Sequence, residues 1–199
     1  MHIICLTGGL ASGKSTAVRY LAEKGAEVID ADVLGHRAYE PGTDAFNAVV
    51  KTFGDDVVAE DGQIDRKALG SKVFGKPEEL KKLTDIVWPE IRRLAELQIA
   101  EIEATAPNAI IVLEAAVLFE AGWDDIGDEV WVTVVDTETA IERSMARDNA
   151  PREAVEKRIA SQLSNDERTG KANLVITNNG DEQTLIRQLD EAWQATIAS

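Results

Sequence analysis

The sequence predicts an α/β protein whose middle layer is a parallel sheet covered by helices on both faces. Three observations predict it. Short apolar runs at 2–7, 27–29, 109–113, 129–135 and 174–177 are too brief for helices and read as buried strands. Stretches with apolar residues recurring at three and four separate them. A glycine-rich turn, GGLASGKS, follows the first run directly and leads into a helix.

Each element follows in order. HIICLT gives the first strand, and 14–24 gives a helix with Val18 and Leu21 on its inward side and Gly25 as its stop. The strand at 27–29 ends in the acidic turn Asp30-Ala31-Asp32. From Pro41 the pattern turns helical, and DAFNAVVKTFG sets Phe46, Val49, Val50 and Phe53 on one face. Asp61-Gly62 offers a turn between two very short extended pieces. Asp65 is placed to cap a helix through Phe74, and Lys76-Pro77 opens a long helix that Pro89 is expected to bend. This helical block, 41–106, is long enough for a sub-domain between two pieces of core, 1–40 and 107–136. After the strand at 129–135 a helix starts at Asp136 or Thr137 and runs through Ala146. Another, with Pro151 as its first residue, reaches about Arg168, which sets 137–168 apart as its own region. The strand at 174–177 and a helix capped by Asp181 and reaching about Ala195 close the core within 169–199.

Composition narrows the function. The chain has 199 residues, and its 36 Asp+Glu against 21 Lys+Arg give a formal net charge of −15. That field opposes general binding to nucleic acid or to an anionic membrane, while a local basic pocket can still take a phosphate-rich small molecule. Cys5 is the only cysteine and His2 and His36 the only histidines, so an intrachain disulfide, a cysteine cluster and a multi-histidine zinc site are excluded. The opening MHIICLTGG has neither a basic leader nor a long apolar run, so a cytoplasmic protein without a membrane span is expected.

Gly8-Gly9-Leu10-Ala11-Ser12-Gly13-Lys14-Ser15 satisfies the phosphate-loop pattern G-x-x-x-x-G-K-[ST]. Glycines let successive backbone N–H groups turn inward around a phosphate, and the following helix adds its positive end. In that reading Lys14 reaches the β- and γ-phosphoryl oxygens of ATP and the Ser15 hydroxyl ligates Mg²⁺. The bland alternative is a glycine-rich turn with a helix-capping serine. Thr16 either supports the phosphates or simply occupies the first helical turn. Arg143 and Arg147 stand four apart on one helical face, with Arg158 and Arg168 beyond. They either close over phosphates as a lid, Arg147 foremost, or belong to a solvated face balanced by Glu142, Asp148 and Glu156.

The acidic and polar positions stay open on spacing alone. Asp32, just past the second strand, either orients or deprotonates a hydroxyl acceptor, or forms an Asx turn or the N-cap of VLGHRAY; Asp30 reads more readily as a turn residue. Glu114, ending IIVLE, either handles Mg²⁺ or is a turn residue. Trp88 either stacks on an adenine or packs the helical block. Asn178, in TNNGD, either reads a base edge or caps a turn.

These residues together resemble the dephospho-CoA kinase family along nearly the whole chain. LTGGLASGKS is similar to the family's opening, VIDADVLGH to its second signature, and PGTDAFNAVVKTFGDDVVAEDGQIDRKALGSKVFG to its acceptor-side segment. RSMARD with RIASQLS resembles its lid, and VITNNG with LDEAW its base loop and last helix. Two places depart from the usual bacterial pattern: Trp88-Pro89 stands for His-Pro, and Ala116-Val117-Leu118-Phe119-Glu120 for Pro-Leu-Leu-Phe-Glu. KKLTDIVWPEI, EAAVLFEAGW and DEVWVTVVDTE are similar instead to the kinase domain of the bifunctional CoA synthase of animals. The resemblance implies a three-layer phosphate-loop kinase with a five-stranded parallel sheet, a helical acceptor-binding insertion and a lid. It implies ATP-dependent phosphorylation of the ribose 3′-hydroxyl of dephospho-CoA, with ATP and Mg²⁺ as cofactors. By matching position Asp32 is the acceptor base, Lys14 and Ser15 hold phosphate and Mg²⁺, and Arg147 closes over the site. Arg66 and Trp88 belong to the acceptor side, and Glu114 is grouped with them. A monomer or weak homo-oligomer is expected. Two rivals remain: another small phosphate-loop kinase acting on a nucleotide or sugar-like hydroxyl, and a non-catalytic nucleotide-binding regulator.

Overall fold

The computed structural model describes residues 1–198. The chain divides into two compact units, Met1–Ile29 with Glu101–Ser199, and Asp30–Ala100.

The first unit holds the sheet, made of β1 (His2–Gly8), β2 (Glu27–Asp30), β3 (Ile110–Glu114), β4 (Glu129–Val134) and β5 (Leu174–Thr177). Their spatial order is β2-β3-β1-β4-β5, and β1 pairs in parallel with β3 from His2↔Ile110 to Leu6↔Glu114 and with β4 from Ile4↔Glu129 to Gly8↔Thr133. A strand in the middle of a sheet covered on both faces must be apolar throughout, and Ile4, Cys5 and Leu6 are fully buried. On one face α1 (Lys14–Glu23) and α9 (Glu182–Ile197) press Ala17, Leu21, Leu185, Leu189 and Trp193 against Ile4, Leu6, Trp131 and Ile176. The inward positions of α1 are therefore Ala17 and Leu21, and Val18 sits half-buried at the margin. Truncating a buried leucine such as Leu21 to alanine costs about 2–5 kcal/mol in a core of this kind.

After β4, Asp136 caps α6 (Thr137–Asp148) by accepting from the Thr139 amide. Then come α7 (Arg152–Ala160) and α8 (Asn165–Thr169). The expected single helix from Pro151 to Arg168 is thus two helices. Ser164 and Glu167 form a capping box that starts a new helix, and the chain leaves α7 at Ser161. Pro151, expected as the first helical residue, is instead the N-cap of α7, which starts one residue later at Arg152.

The second unit contains α2 (Ala31–Ala38), α3 (Asp44–Phe53), α4 (Arg66–Val73) and most of α5 (Pro77–Thr105). Asp30, rather than Asp32, caps α2: its Oδ1 accepts from the Asp32 amide at 2.8 Å and the Val33 amide at 3.1 Å. Thr43 caps α3 and Asp65 caps α4. Val58 and Ile64 form a single antiparallel bridge around Gly62, whose φ of +80° supplies the turn expected at Asp61-Gly62. Helix α5 continues through Pro89. Among the described residues no helix is long and apolar enough to cross a membrane.

Candidate active site

β1 lies between β3 and β4, and the loop leaving its carboxyl end opens where strands on either side diverge, the place open α/β sheets hold ligands. This loop runs from Gly8 into α1. Its turn demands unusual backbone: Ala11 has φ +55° and Gly13 φ +100°. Gly13 is the N-cap of α1, and among the described residues no side chain caps it. The first amides of the helix are left for an anion, whose charge the helix dipole also favours.

Neighbouring strands hold the loop. Ser12 Oγ shares a 2.8 Å hydrogen bond with Thr133 Oγ1 on β4. Asn178 Nδ2, just past β5, donates to the Ser12 carbonyl at 3.1 Å. A Cβ on Gly8 would lie 2.3 Å from Thr133 Oγ1, so that approach requires glycine. Gln162 Oε1 accepts from the Leu10 amide at 3.1 Å. Lys14 Nζ donates to the Gly8 carbonyl at 2.9 Å and the Gly9 carbonyl at 3.3 Å.

A cavity of about 390 Å³ opens beside the loop, lined by Ala11 through Thr16 with Arg143, Arg147, Asn178, Glu182 and Leu185. Three cations thus face one recess on a chain of net charge −15. Arg143 donates to the Asn178 carbonyl at 2.8 Å and the Gly180 carbonyl at 3.0 Å, tying α6 to the loop after β5. Arg147 is forked onto Asp148, Nε to Oδ1 at 2.7 Å and Nη2 to Oδ2 at 3.0 Å, and Arg158 Nη1 reaches the same carboxylate at 2.9 Å. Hydrogen bonds from Arg147 first, then Arg158, hold the Asp148 carboxyl well below the usual carboxylate range.

Of the residues singled out in the sequence, Ala11, Ser12, Gly13, Lys14, Ser15, Thr16, Arg143, Arg147 and Asn178 share this cavity. Gly8 and Gly9 are buried at its approach, and Leu10 lines a second cavity next to it. Glu114 is half-buried at the carboxyl end of β3, opposite Leu6. Asp32, Arg66 and Trp88 lie in the second unit: Asp32 exposed in the first turn of α2, Arg66 exposed as the first residue of α4, Trp88 half-buried midway along α5. Thr133, Gln162 and Arg143 each support the loop or the cavity, and only Arg143 carried a signal in the sequence.

The loop and its uncapped helix end form a cradle for phosphate, which fits a nucleotide triphosphate. The exposed Ser15 on the cavity wall fits Mg²⁺ as well. Among the described residues no group of three or more His, Cys, Asp or Glu could hold a metal, and Mg²⁺ on a nucleotide needs none, since phosphate oxygens and waters fill most of its shell.

The dephospho-CoA kinase family profile matches residues 2–184. The chain belongs to this family. It is 47 % identical over 193 residues to a dephospho-CoA kinase of Geobacter sulfurreducens, covering 97 % of this chain and 98 % of that one. A dephospho-CoA kinase from Campylobacter jejuni superposes with a TM-score of 0.66 at 25 % identity, covering 98 % and 96 %. A Thermus thermophilus protein superposes with a TM-score of 0.82 at 33 % identity, covering 98 % and 97 %. The chain is a phosphate-loop kinase of the dephospho-CoA kinase family, an enzyme that phosphorylates a hydroxyl acceptor. The departures at Trp88, Ala116 and Val117 lie within a family member.

Proposed function

We propose that this chain transfers the γ-phosphoryl group of ATP to the ribose 3′-hydroxyl of dephospho-CoA, giving CoA and ADP. The observation that carries this reading is the family match over residues 2–184 together with an uncapped phosphate loop inside it. The loop amides bind the nucleotide phosphates, and Lys14 swings from the Gly8 and Gly9 carbonyls to the β- and γ-phosphoryl oxygens. Ser15 would hold Mg²⁺, which supplies charge neutralisation on the triphosphate. Arg147 exchanges part of its fork with Asp148 for phosphoryl oxygens as charge moves between them. Asp32, freed from capping by Asp30, orients the acceptor hydroxyl and takes its proton. Arg66, Trp88 and Glu114 serve the acceptor, and Asn178 and Thr16 support the nucleotide.

The insertion at 41–106 then binds dephospho-CoA and 137–168 acts as the lid, with 1–40, 107–136 and 169–199 as the core. Cys5 is free and buried, as suits the reducing cytoplasm where we place the enzyme, as a monomer or weak homo-oligomer that binds neither nucleic acid nor membrane. A coupled ADP-release assay on dephospho-CoA, adenosine, AMP and pantetheine phosphate tests the reading. Dephospho-CoA should exceed every other acceptor in kcat/KM by a hundredfold or more; a preference for AMP or adenosine would make the chain a nucleotide or nucleoside kinase instead.

A further inference from the structure

Arg168, in α8, is left open by its sequence between closing over phosphates and a solvated face, and its burial excludes the solvated face. It is 2 % exposed. Nη1 donates to the Leu163 carbonyl, but Nε and Nη2 have no hydrogen-bond partner among the described residues. Glu120 Oε1 stands 3.8 Å from Nη2, an ion pair too long to be a hydrogen bond. Desolvation lowers the pKa of the group, and a guanidinium nevertheless stays protonated at neutral pH. A buried charge with two donors unspent is unfavourable, and a guanidinium placed only to brace the fold would spend them on carbonyls or carboxylates.

The guanidinium reaches the opening of the phosphate loop. A Cβ on Gly9 would lie 3.4 Å from Nη1, with Asn165 Oδ1 at 3.8 Å and Gln162 Oε1 at 4.0 Å. With Gly9 and Leu10, Arg168 lines the second cavity, of about 560 Å³. Lys14 comes to the same glycine, donating to its carbonyl at 3.3 Å. In loops of this pattern the lysine meets the β- and γ-phosphoryl groups, and Arg168 and Lys14 both come to Gly9 of that loop.

We propose that Arg168 is a catalytic residue whose guanidinium turns to the terminal phosphoryl group of the nucleotide, with Glu120 positioning the guanidinium plane. The proposal rests on the reading of the loop as an ATP site. During transfer the bond between the γ-phosphorus and the bridging oxygen breaks, its electron pair leaving with ADP. A bond forms from the acceptor hydroxyl oxygen to phosphorus, and the hydroxyl proton departs. Arg168 keeps its own protons throughout, its planar fork following the peripheral oxygens as they gain charge.

The test compares wild type with Arg168→Gln and Arg168→Lys by calorimetry with ATP and with ADP, by turnover, and by thermal midpoint. Folded Arg168→Gln is expected to lose about a hundredfold or more in kcat, in line with removal of a transition-state donor. Its ATP affinity should fall about tenfold while ADP affinity stays within about threefold of wild type, since only ATP carries the group that Arg168 touches. Lysine should restore part of the rate, lacking the fork. Equal losses for ATP and ADP, or kcat within about threefold of wild type, would overturn the proposal. If Arg168→Gln does not fold, the wild-type chain decides: the Arg168 Nε–H signal in ¹⁵N NMR should shift when tetrafluoroaluminate is added to the ADP complex, and an unmoved signal would overturn it. Failure of the wild type to phosphorylate dephospho-CoA would refute the acceptor assignment alone, and the ATP-against-ADP comparison would still decide for or against Arg168.

Discussion

The amide of Asn178 braces the phosphate loop from behind. Its Nδ2 donates to the Ser12 carbonyl at 3.1 Å, and a Cβ placed on Gly13 would meet that same nitrogen at 2.4 Å. A left-handed residue and a close neighbour thus make one demand: position 13 has no space for a side chain. Gly13→Ala should therefore push Asn178 away, twist the loop amides out of line and weaken ATP binding by about a hundredfold or more, measured by calorimetry. An alanine forced to positive φ costs on the order of 1 kcal/mol or more, so the thermal midpoint should also fall by a few degrees. Unchanged ATP affinity would show that the loop tolerates a different shape.

Lys14→Met removes the ammonium while keeping much of the stem. Circular dichroism should be unchanged, because the Gly8 and Gly9 carbonyls that Lys14 meets belong to the phosphate loop rather than to the apolar core. Turnover should drop by about a hundredfold or more, the usual loss for one donor aimed at developing charge. A folded variant keeping more than about one-tenth of wild-type kcat would remove Lys14 from the chemistry.

Arg147 and Asp148 give a pH-dependent prediction with a defined sign. Because Arg147 and Arg158 depress the folded pKa of Asp148, the pair contributes stability above the unfolded value near ~3.9 and loses it as pH falls through the lower folded value. The thermal-midpoint gap between wild type and Asp148→Asn should be present at pH 7 and shrink as pH is taken from about 4 towards about 2. A gap that stays constant over this range would mean the carboxylate is not held by the two arginines. At pH 7 Arg147→Ala should lower kcat more than it raises the KM for ATP; a change in KM alone would make Arg147 a ground-state clamp.

Much of this architecture was legible because it is written in local patterns. Strand β1, the loop and α1 follow one another without a gap, so an apolar run, glycines and a lysine reveal both fold and site. The caps Asp65, Asp136 and Asp181 were readable for the same reason. What distance along the chain conceals was not readable. Thr133 is one β-branched residue among several in β4, and only the register Gly8↔Thr133 makes it a support for the loop. Gln162 and Arg168 come to Leu10 and Gly9 from about 150 residues away. The break between α7 and α8 had a local sign, Ser164 with Glu167, which the surrounding helical composition masked. Asp30 and Asp32, two apart at the end of β2, offered the same side chain for one cap, and strand length decided between them.

Asp32→Asn tests acceptor chemistry. Asparagine keeps the size and one acceptor oxygen but takes no proton. A fall of roughly a hundredfold or more in kcat is expected, with KM for both substrates within a few-fold of wild type. Calorimetry with ATP and Mg²⁺ should give nearly unchanged binding. Collapse of that binding would make Asp32 a metal-shell residue, and wild-type turnover would leave it no chemical part.

Transfer to the 3′-oxygen of dephospho-CoA, and to no other, is read from the reaction product. The purified chain is incubated with ATP, Mg²⁺ and dephospho-CoA, and the product is examined by mass spectrometry and ³¹P NMR beside a parallel reaction with 3′-deoxy-dephospho-CoA. One phosphoryl group should be gained as a 3′-phosphomonoester, with one ADP released per product and no transfer to the 3′-deoxy compound. A phosphorylated product from the 3′-deoxy compound, or a phosphate on any other oxygen, would contradict the account.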